Sequence, residues 1–411
     1  MADTTLYPLK FLPLYKNTLW GGNKIKDLGF DYAPLENCGE MWVLSALPGN
    51  ESVVENGFLA ENTITDLLEI YMGELIGERL FDRYGTEFPL LVKIINSAQK
   101  LSIQVHPDDR LARERGMENG KTEMWYILDA EKGSTLISGF EKEVTPQEYQ
   151  QYLALDHLEE IMHHENVQRG DVFFIPAGRA HALGEGLLLA EIQQTSDCTY
   201  RLYDYNRRDS QGNPRPLHTK EAMDALSFKP VKDAKTHYSY RPNHTTQIAD
   251  CDYFQVNILS LTKPMKKDFR KLDSFVAYLC VEGIAAVKAL DHIVPFHEGE
   301  VILVPATSDF VELHAEGEAK LLEIFIDPAK IPEEDLIHRN DLDWGARFCD
   351  KEEDYEDEEV SDWISAFEQM NMDEEDYEEE EHECHCDEEG HECHCHEENH
   401  QCHCGKENKE K

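Results

Sequence analysis

Residues Leu101–Asp109 read Leu-Ser-Ile-Gln-Val-His-Pro-Asp-Asp, and this alternation limits the fold more than any other stretch. A period of two places Ser102, Gln104 and His106 on one face of a strand and Ile103 and Val105 on the other. Pro107 ends the strand, because it has no N–H for a ladder. A polar strand face backed by an apolar one predicts a small barrel with a site in its mouth. Gln104 and His106 lie two residues apart, within reach of one metal ion. In Lys121-Thr-Glu-Met-Trp-Tyr-Ile-Leu128, Lys121 and Glu123 share a face by the same alternation. In Gly170-Asp-Val-Phe-Phe-Ile-Pro-Ala-Gly-Arg-Ala-His181, a glycine turn leads into an apolar strand, then a Pro-x-Gly turn, then His181. A single histidine on a strand is more often a hydrogen-bonded core residue than a ligand. The argument rests on four residues together. Gln104, His106, Glu123 and His181 form a nitrogen and oxygen donor set without thiolate, suited to zinc or a similar divalent ion.

Gly, five residues, Pro-x-Gly, two residues, His is the second signature of the cupin barrel. Gln-x-His with a later Glu is a variant of its first. With Lys16–Gly22, Gly39–Ser45, Phe88–Lys93, Lys121-Thr-Glu123 and Thr195–Arg207, the chain from about Leu6 to Asp327 resembles the type I mannose-6-phosphate isomerases of the short bacterial kind. The resemblance implies a mainly β fold of two cupin (jelly-roll) barrels with a few flanking helices. It also implies one bound zinc and the interconversion of mannose 6-phosphate and fructose 6-phosphate. Arg201 matches the family's catalytic arginine, with Asp197 beside it, and Ser102 matches a phosphate-binding serine. A phosphate-binding lysine of the family falls in Leu217-His-Thr-Lys220, where His218-Thr219 replaces the Thr-Pro of many relatives.

Residue by residue, further elements follow. Ile64, Leu67, Leu68, Tyr71, Leu75 and Leu80 recur at helical spacing and predict one helix over 63–81. Asp108–Gly116 reads as a short helix. Thr145, Pro146 and Glu148 form a helix start, with the helix expected to run to His164. Phe88–Ile95 is an apolar strand carrying Lys93, a charge that is costly inside such a run unless paired or facing a cavity. Lys93 is therefore a pocket candidate. Gly299, five residues, Pro305-Ala repeats the spacing of Gly170 to Pro176-Ala177, with Thr307 and Phe310 standing for Gly178 and His181. This predicts a second barrel of the same design without metal ligands, packed on the first and lining the pocket's rim. The expected division is a catalytic domain over 1–240, a second barrel over 241–330 and a tail over 331–411.

The net charge of -44 disfavours nucleic acid and anionic membrane as partners, so a phosphosugar site must supply its own local positive charge. No apolar run approaches the roughly 18–20 residues of a membrane span. The start lacks the basic and apolar regions of a signal peptide. Cys38, Cys198, Cys251, Cys280 and Cys349 are scattered, as in reduced thiols, and a cytoplasmic location is expected. The tail's long Asp/Glu runs cannot bury enough surface to fold, so disorder is expected there. Its end repeats His-x-Cys-His-Cys every nine residues, placing Cys384, Cys386, Cys393, Cys395, Cys402 and Cys404 among seven histidines. That composition suits additional zinc, copper(I) or nickel.

The expected chemistry is proton transfer between the first two carbons of an open-chain sugar through a cis-enediolate. Arg201 would face the anion, and Lys121, a metal-bound water or Asp197 would move the proton. Ser102, Lys220 and Lys93 would hold the phosphate. Two other readings stand beside it: another sugar-phosphate isomerase on the same barrel, and a non-catalytic metal-storage or sensor protein. Oligomeric state is not legible.

Overall fold

The computed structural model describes residues 5–208 and 212–336. They form two β-barrels, each made of one large and one small sheet. In the first barrel the large sheet runs in the spatial order Val172–Ile175, Glu123–Ala130, Leu187–Gln194, Leu90–Ser97, Glu40–Leu44, Leu14–Lys16. Its small sheet runs Met162–Asn166, Thr135–Phe140, His181–Leu183, Ile103–Val105, Tyr200–Tyr203. The second barrel pairs a seven-stranded sheet centred on Gln255–Leu261, Ala319–Phe325 and Val276–Glu282 with a four-stranded one. Among the described residues, no helix is long and apolar enough to cross a membrane.

The apolar runs have a direct cause. All eight residues of Leu187–Gln194 are buried, as are all eight of Leu90–Ser97. A strand covered on both faces loses the alternation of a half-exposed one. Here Leu188, Ala190 and Ile192 join Val92 and Ile94 in a core shared with Val256, Ile258, Leu279, Leu322 and Ile324 of the second barrel. The opposite face, Leu187 and Leu189 with Ile95 and Trp125, fills the first barrel's interior. The two barrels are thus joined through their large sheets.

The N-terminal segment crosses between them. Leu9–Leu12 pairs antiparallel with Val301–Val304, and its partner on the other side is Val53–Val54. Part of the second barrel's sheet therefore comes from the first 54 residues, and a division at residue 240 does not follow the strand pairing.

Two helical expectations need correction. The segment 63–81 is not one helix. It forms Ile64–Tyr71, Gly73–Ile76 and Glu78–Tyr84, broken where Met72 takes φ 48° and Gly77 φ 104°. At Gly77 a Cβ would lie 2.3 Å from the Asp273 carbonyl oxygen, so close packing on the second barrel sets the break. Residues 145–164 begin as expected: Thr145 and Glu148 form a reciprocal capping box on Pro146–Ala154. The chain then turns at Asp156 (φ 64°), and Met162–Asn166 is an edge strand paired with Thr135–Phe140. Asp109–Glu114 is helical, capped by Asp108, which accepts from the Leu111 N–H at 2.8 Å.

The second barrel carries no group of three or more His, Cys, Asp or Glu placed to hold a metal; among the described residues the only such group is His106, Glu123 and His181. The cysteine and histidine repeats of the tail lie outside the described residues, as does the expectation of disorder there.

Candidate active site

Two cross-strand rows build the site. In the small sheet, Ser138 faces His181, His181 faces Gln104, and Gln104 faces Arg201 on neighbouring strands. In the large sheet, Trp42, Lys93, Glu191 and Trp125 form a second row. Glu123 lies two residues before Trp125, on the same face of the same strand. Such rows hold side chains at fixed spacing on rigid elements. Between them lies a cavity of about 220 Å³. It is lined by both rows except Ser138, and by Trp20, Glu40, Ser102, Lys121, Asp197, Thr199 and Arg215 among others. Among the described residues none of those lining the cavity belongs to the second barrel, so the expected contribution of that barrel to the rim is not found there.

At one end of the cavity His181 Nε2 lies 3.2 Å from Glu123 Oε1, and His106 Nε2 lies 3.5 Å from Glu123 Oε2. His106 Nδ1 sits 2.8 Å from the Cys198 carbonyl oxygen, and His181 Nδ1 sits 2.8 Å from that of Arg179. A carbonyl accepts only from N–H, so each ring carries its proton on Nδ1 and presents the Nε2 lone pair to Glu123. The Gln104 amide lies 3.3 Å from His181 Nε2. Rotation of that amide turns its oxygen to the same point.

Among the described residues, His106 Nε2 and Glu123 Oε1 are buried with no hydrogen-bond donor, and Glu123 Oε2 is met only by the Lys121 ammonium at 3.2 Å. Buried acceptors short of donors are costly, and these, converging on one point, fit a cation. The protonation states agree with that fit. Burial, with Lys121 nearby, pushes the His106 pKa down to about 3, and burial lowers that of His181. Burial raises the pKa of Glu123, but Lys121 and the two histidines outweigh it and keep the carboxyl well below its ordinary range. The set therefore stands as two neutral imidazoles, one carboxylate and one amide, the form metal ligands need.

Lys121 Nζ lies 3.2 Å from Glu123 Oε2. Burial opposes its charge, yet Glu123 and Glu191 prevail and hold it protonated. Lys93, also buried, lies 3.4 Å from Glu191 Oε1 and 3.6 Å from Glu40 Oε2, with its ammonium over the Trp42 ring. Glu191 accepts from Trp125 Nε1 at 2.9 Å. Burial, then the charge of Glu123, raises its pKa. At the other end, Arg201 Nη1 donates to the Pro216 carbonyl oxygen at 2.9 Å, while its Nε is buried with no partner. Asp197 is exposed at the rim.

Of the residues singled out from the sequence, the cavity gathers Ser102, Gln104, Lys121, His181, Lys93, Asp197 and Arg201, with His106 and Glu123 at its floor. It does not gather Lys220, which is exposed on the helix Thr219–Ala225 and does not line the cavity. Sequence reasoning missed Glu40, Glu191 and Arg215. The signal for Glu191 was the one that flagged Lys93, a charge inside an apolar run, and the two face each other across the sheet.

A family model described as phosphomannose isomerase type I, catalytic domain, matches residues 9–147, and one described as mannose-6-phosphate isomerase, cupin domain, matches 243–326. Mannose-6-phosphate isomerase ManA of Bacillus subtilis is 35% identical over 308 residues, covering 73% of this chain and 94% of its own. The enzyme of Streptococcus mutans is 34% identical over 291 residues, covering 70% and 89%. A solved mannose 6-phosphate isomerase structure from Bacillus subtilis superposes with a TM-score of 0.67 at 30% identity, covering 77% of this chain and 99% of that one. A putative mannosephosphate isomerase from Archaeoglobus fulgidus, 22% identical with a TM-score of 0.64, shares the fold. The chain belongs to the type I mannose-6-phosphate isomerase family.

Proposed function

We propose that this cavity interconverts mannose 6-phosphate and fructose 6-phosphate, with Gln104, His106, Glu123 and His181 holding one divalent ion. Nitrogen and oxygen donors without thiolate suit zinc among the common ions. When bound, the ion supplies Lewis acidity that polarises the substrate's C1–C2 oxygens. In the forward direction a proton leaves C2 of the open-chain aldose. The C–H electron pair forms a C1–C2 double bond, and the aldehyde oxygen takes the negative charge. The product is a cis-enediolate. Its O2 proton passes to O1, so the charge moves to the C2 oxygen, and C1 then takes up a proton as the C2=O bond forms, which gives the ketose. Arg201 offers a fixed positive charge and an unpartnered Nε to that anion. Lys121 sits in the cavity beside Glu123, within reach of the reacting oxygens, and moves a proton or hydrogen-bonds an oxygen. Asp197 at the rim is the second candidate for the proton. Trp20, Trp42 and Trp125 line the cavity and give it apolar walls.

The observation that carries this reading is the buried cluster of His106, Glu123 and His181, short of hydrogen-bond donors, beside a cavity lined by lysines and arginines. The test is interconversion of the two hexose phosphates by metal-depleted protein, with zinc added back, for the full chain and for a chain ending at Leu336. Restored activity in both supports the reading. Zinc-loaded protein inactive on these two sugars but active on another hexose phosphate moves the assignment to a different isomerase. Inactivity on a whole panel of hexose phosphates refutes it.

A separate role is proposed for the tail. The six cysteines from Cys384 to Cys404 and their histidines bind further soft or borderline metal ions.

A further inference from the structure

We propose that Arg215, braced by Asp204, seats the substrate's phosphate in this chain, the role to which the sequence pointed Lys220. The inference rests on the phosphosugar reading of the cavity.

Among the described residues, four cationic side chains line that cavity: Lys93, Lys121, Arg201 and Arg215. Two are already answered. Lys93 lies between Glu40 and Glu191, and Lys121 lies against Glu123. Neither has charge to spare for a second anion. The arginines differ. Arg215 Nη2 and Nε contact Asp204 Oδ1 and Oδ2 at 2.5 and 2.7 Å. Arg207 binds the same carboxylate, its Nε donating to Oδ1 at 3.1 Å. One buried carboxylate thus serves two guanidinium groups. No carboxylate lies within ion-pair distance of Arg201 among the described residues, and its Nε has no partner. Asp204, Arg201, Arg207 and Arg215 together carry a net charge of two positives in a chain of net charge -44. A phosphate dianion matches that surplus.

The geometry keeps Arg215 beside Arg201. His218, three residues after Arg215, donates its backbone N–H to the Arg201 carbonyl oxygen at 2.8 Å, and its ring Nδ1 accepts from the Arg201 N–H at 3.1 Å. The segment carrying Arg215 is therefore fastened to the strand carrying Arg201. Asp204 occupies two of Arg215's five N–H donors and fixes the plane of its fork. The remaining donors suit phosphate oxygens, to which arginine binds bidentately. Ser102 lines the same cavity and offers a hydroxyl. Lys220 is on an exposed helix face outside it.

The experiment compares the full-length, zinc-loaded enzyme with R215Q, R215K and K220Q. It measures kcat and KM for mannose 6-phosphate and binding of inorganic phosphate by calorimetry and by competitive inhibition. Loss of a charge-assisted contact to a phosphate raises KM and the phosphate dissociation constant by roughly 10- to 100-fold in R215Q, more than it lowers kcat. R215K, which keeps the charge and loses the fork, recovers part of the affinity. K220Q binds phosphate as the parent does. The proposal is overturned by parental KM and phosphate affinity in R215Q, or in R215K should R215Q not fold. It is also overturned if K220Q shows the loss instead. A parent enzyme that binds phosphate through Arg215 but does not isomerise mannose 6-phosphate would refute the assigned reaction and leave the phosphate seat standing.

Discussion

Lys93 offers the sharpest test of how this site is held together. Replacing it by methionine keeps the volume and removes the charge. Glu191, 3.4 Å away and buried, then loses its nearest cation, while Glu40 loses one 3.6 Å away and is partly exposed. At an effective dielectric of about 20, opposite charges 3.4 Å apart attract by about 5 kcal/mol. Breaking a buried pair by removing one partner costs about 3–5 kcal/mol. The penalty depends on pH, because Glu191 can escape it by taking up a proton. Its pKa is already raised by burial and by Glu123, and loss of Lys93 raises it further. Between the unfolded carboxyl's pKa and the folded one, the native state holds a proton that the unfolded state has released, so stability falls as pH rises. Below the unfolded pKa both states are protonated and this part of the penalty vanishes. The slope is about 1.4 kcal/mol per pH unit for one group. Urea unfolding at pH 5 and pH 8 is the assay: K93M destabilises more at pH 8. The K93M/E191Q double variant recovers about 2–3 kcal/mol at pH 8, because the neutral amide needs no cation and still accepts from Trp125. A K93M penalty equal at both pH values, or no recovery in the double variant, refutes the reasoning.

E123Q removes the one carboxylate from the donor set and lowers metal affinity by at least the 10–100-fold typical of outer-shell changes, read by zinc titration of the chain ending at Leu336. G77A forces a Cβ to within 2.3 Å of the Asp273 carbonyl oxygen at a residue with φ 104°, and costs about 2–4 kcal/mol in chemical unfolding. T145A removes the reciprocal cap on Pro146–Ala154 and costs about 0.5–2 kcal/mol by the same measurement. Removing residues 337–411 leaves activity at saturating zinc unchanged and lowers the number of zinc ions bound per chain, counted by elemental analysis. Truncation at Pro328 instead destabilises the fold, because Ile331 is buried and Arg79 Nη2 donates to its carbonyl oxygen at 2.7 Å.

What was readable from sequence was local and periodic. Gln104, His106, Glu123 and His181 each sit beside a strand pattern of period two or a Gly-Pro turn, so their shared direction follows from the backbone. The helix over 63–81 failed because Met72 and Gly77 take positive φ and Gly77 packs closely on Asp273 of the second barrel; the apolar period ran straight through Gly73 and Gly77, the local signals of the break. Met162–Asn166 failed because it is an edge strand, with alternating exposure that a helical window absorbs. Pairing of Leu9–Leu12 with Val301–Val304 spans nearly the whole folded chain, and no residue in either strand names its partner. Arg215 lies in the irregular stretch between Tyr200–Tyr203 and Thr219–Ala225, where no period exists to aim a side chain.

The two barrels carry the same device in different states, and the difference separates a structural network from a site. In the second barrel Asn257, Glu323 and Tyr278 form a cross-strand row as Lys93, Glu191 and Trp125 do in the first. Both rows place a buried carboxylate on the strand between a polar side chain and an aromatic donor. Glu323 takes the Tyr278 hydroxyl at 2.8 Å, the Asn257 amide at 3.0 Å and Lys267 Nζ at 2.7 Å. Both its oxygens are answered, and a network closed in this way rigidifies the core and leaves nothing for a ligand. In the first barrel the row opens on a cavity, and next to it His106 Nε2 and Glu123 Oε1 have no donor, while Glu123 Oε2 is met only by Lys121. Glu191 is answered by Trp125 and Lys93 as Glu323 is by its partners, so the difference lies in the His106, Glu123 and His181 cluster, which has no counterpart among the described residues of the second barrel. Buried polar atoms kept short of donors are destabilising, and a fold retains them where they have a use. That cluster, more than the barrel itself, is what points the proposed chemistry to the first half of the chain.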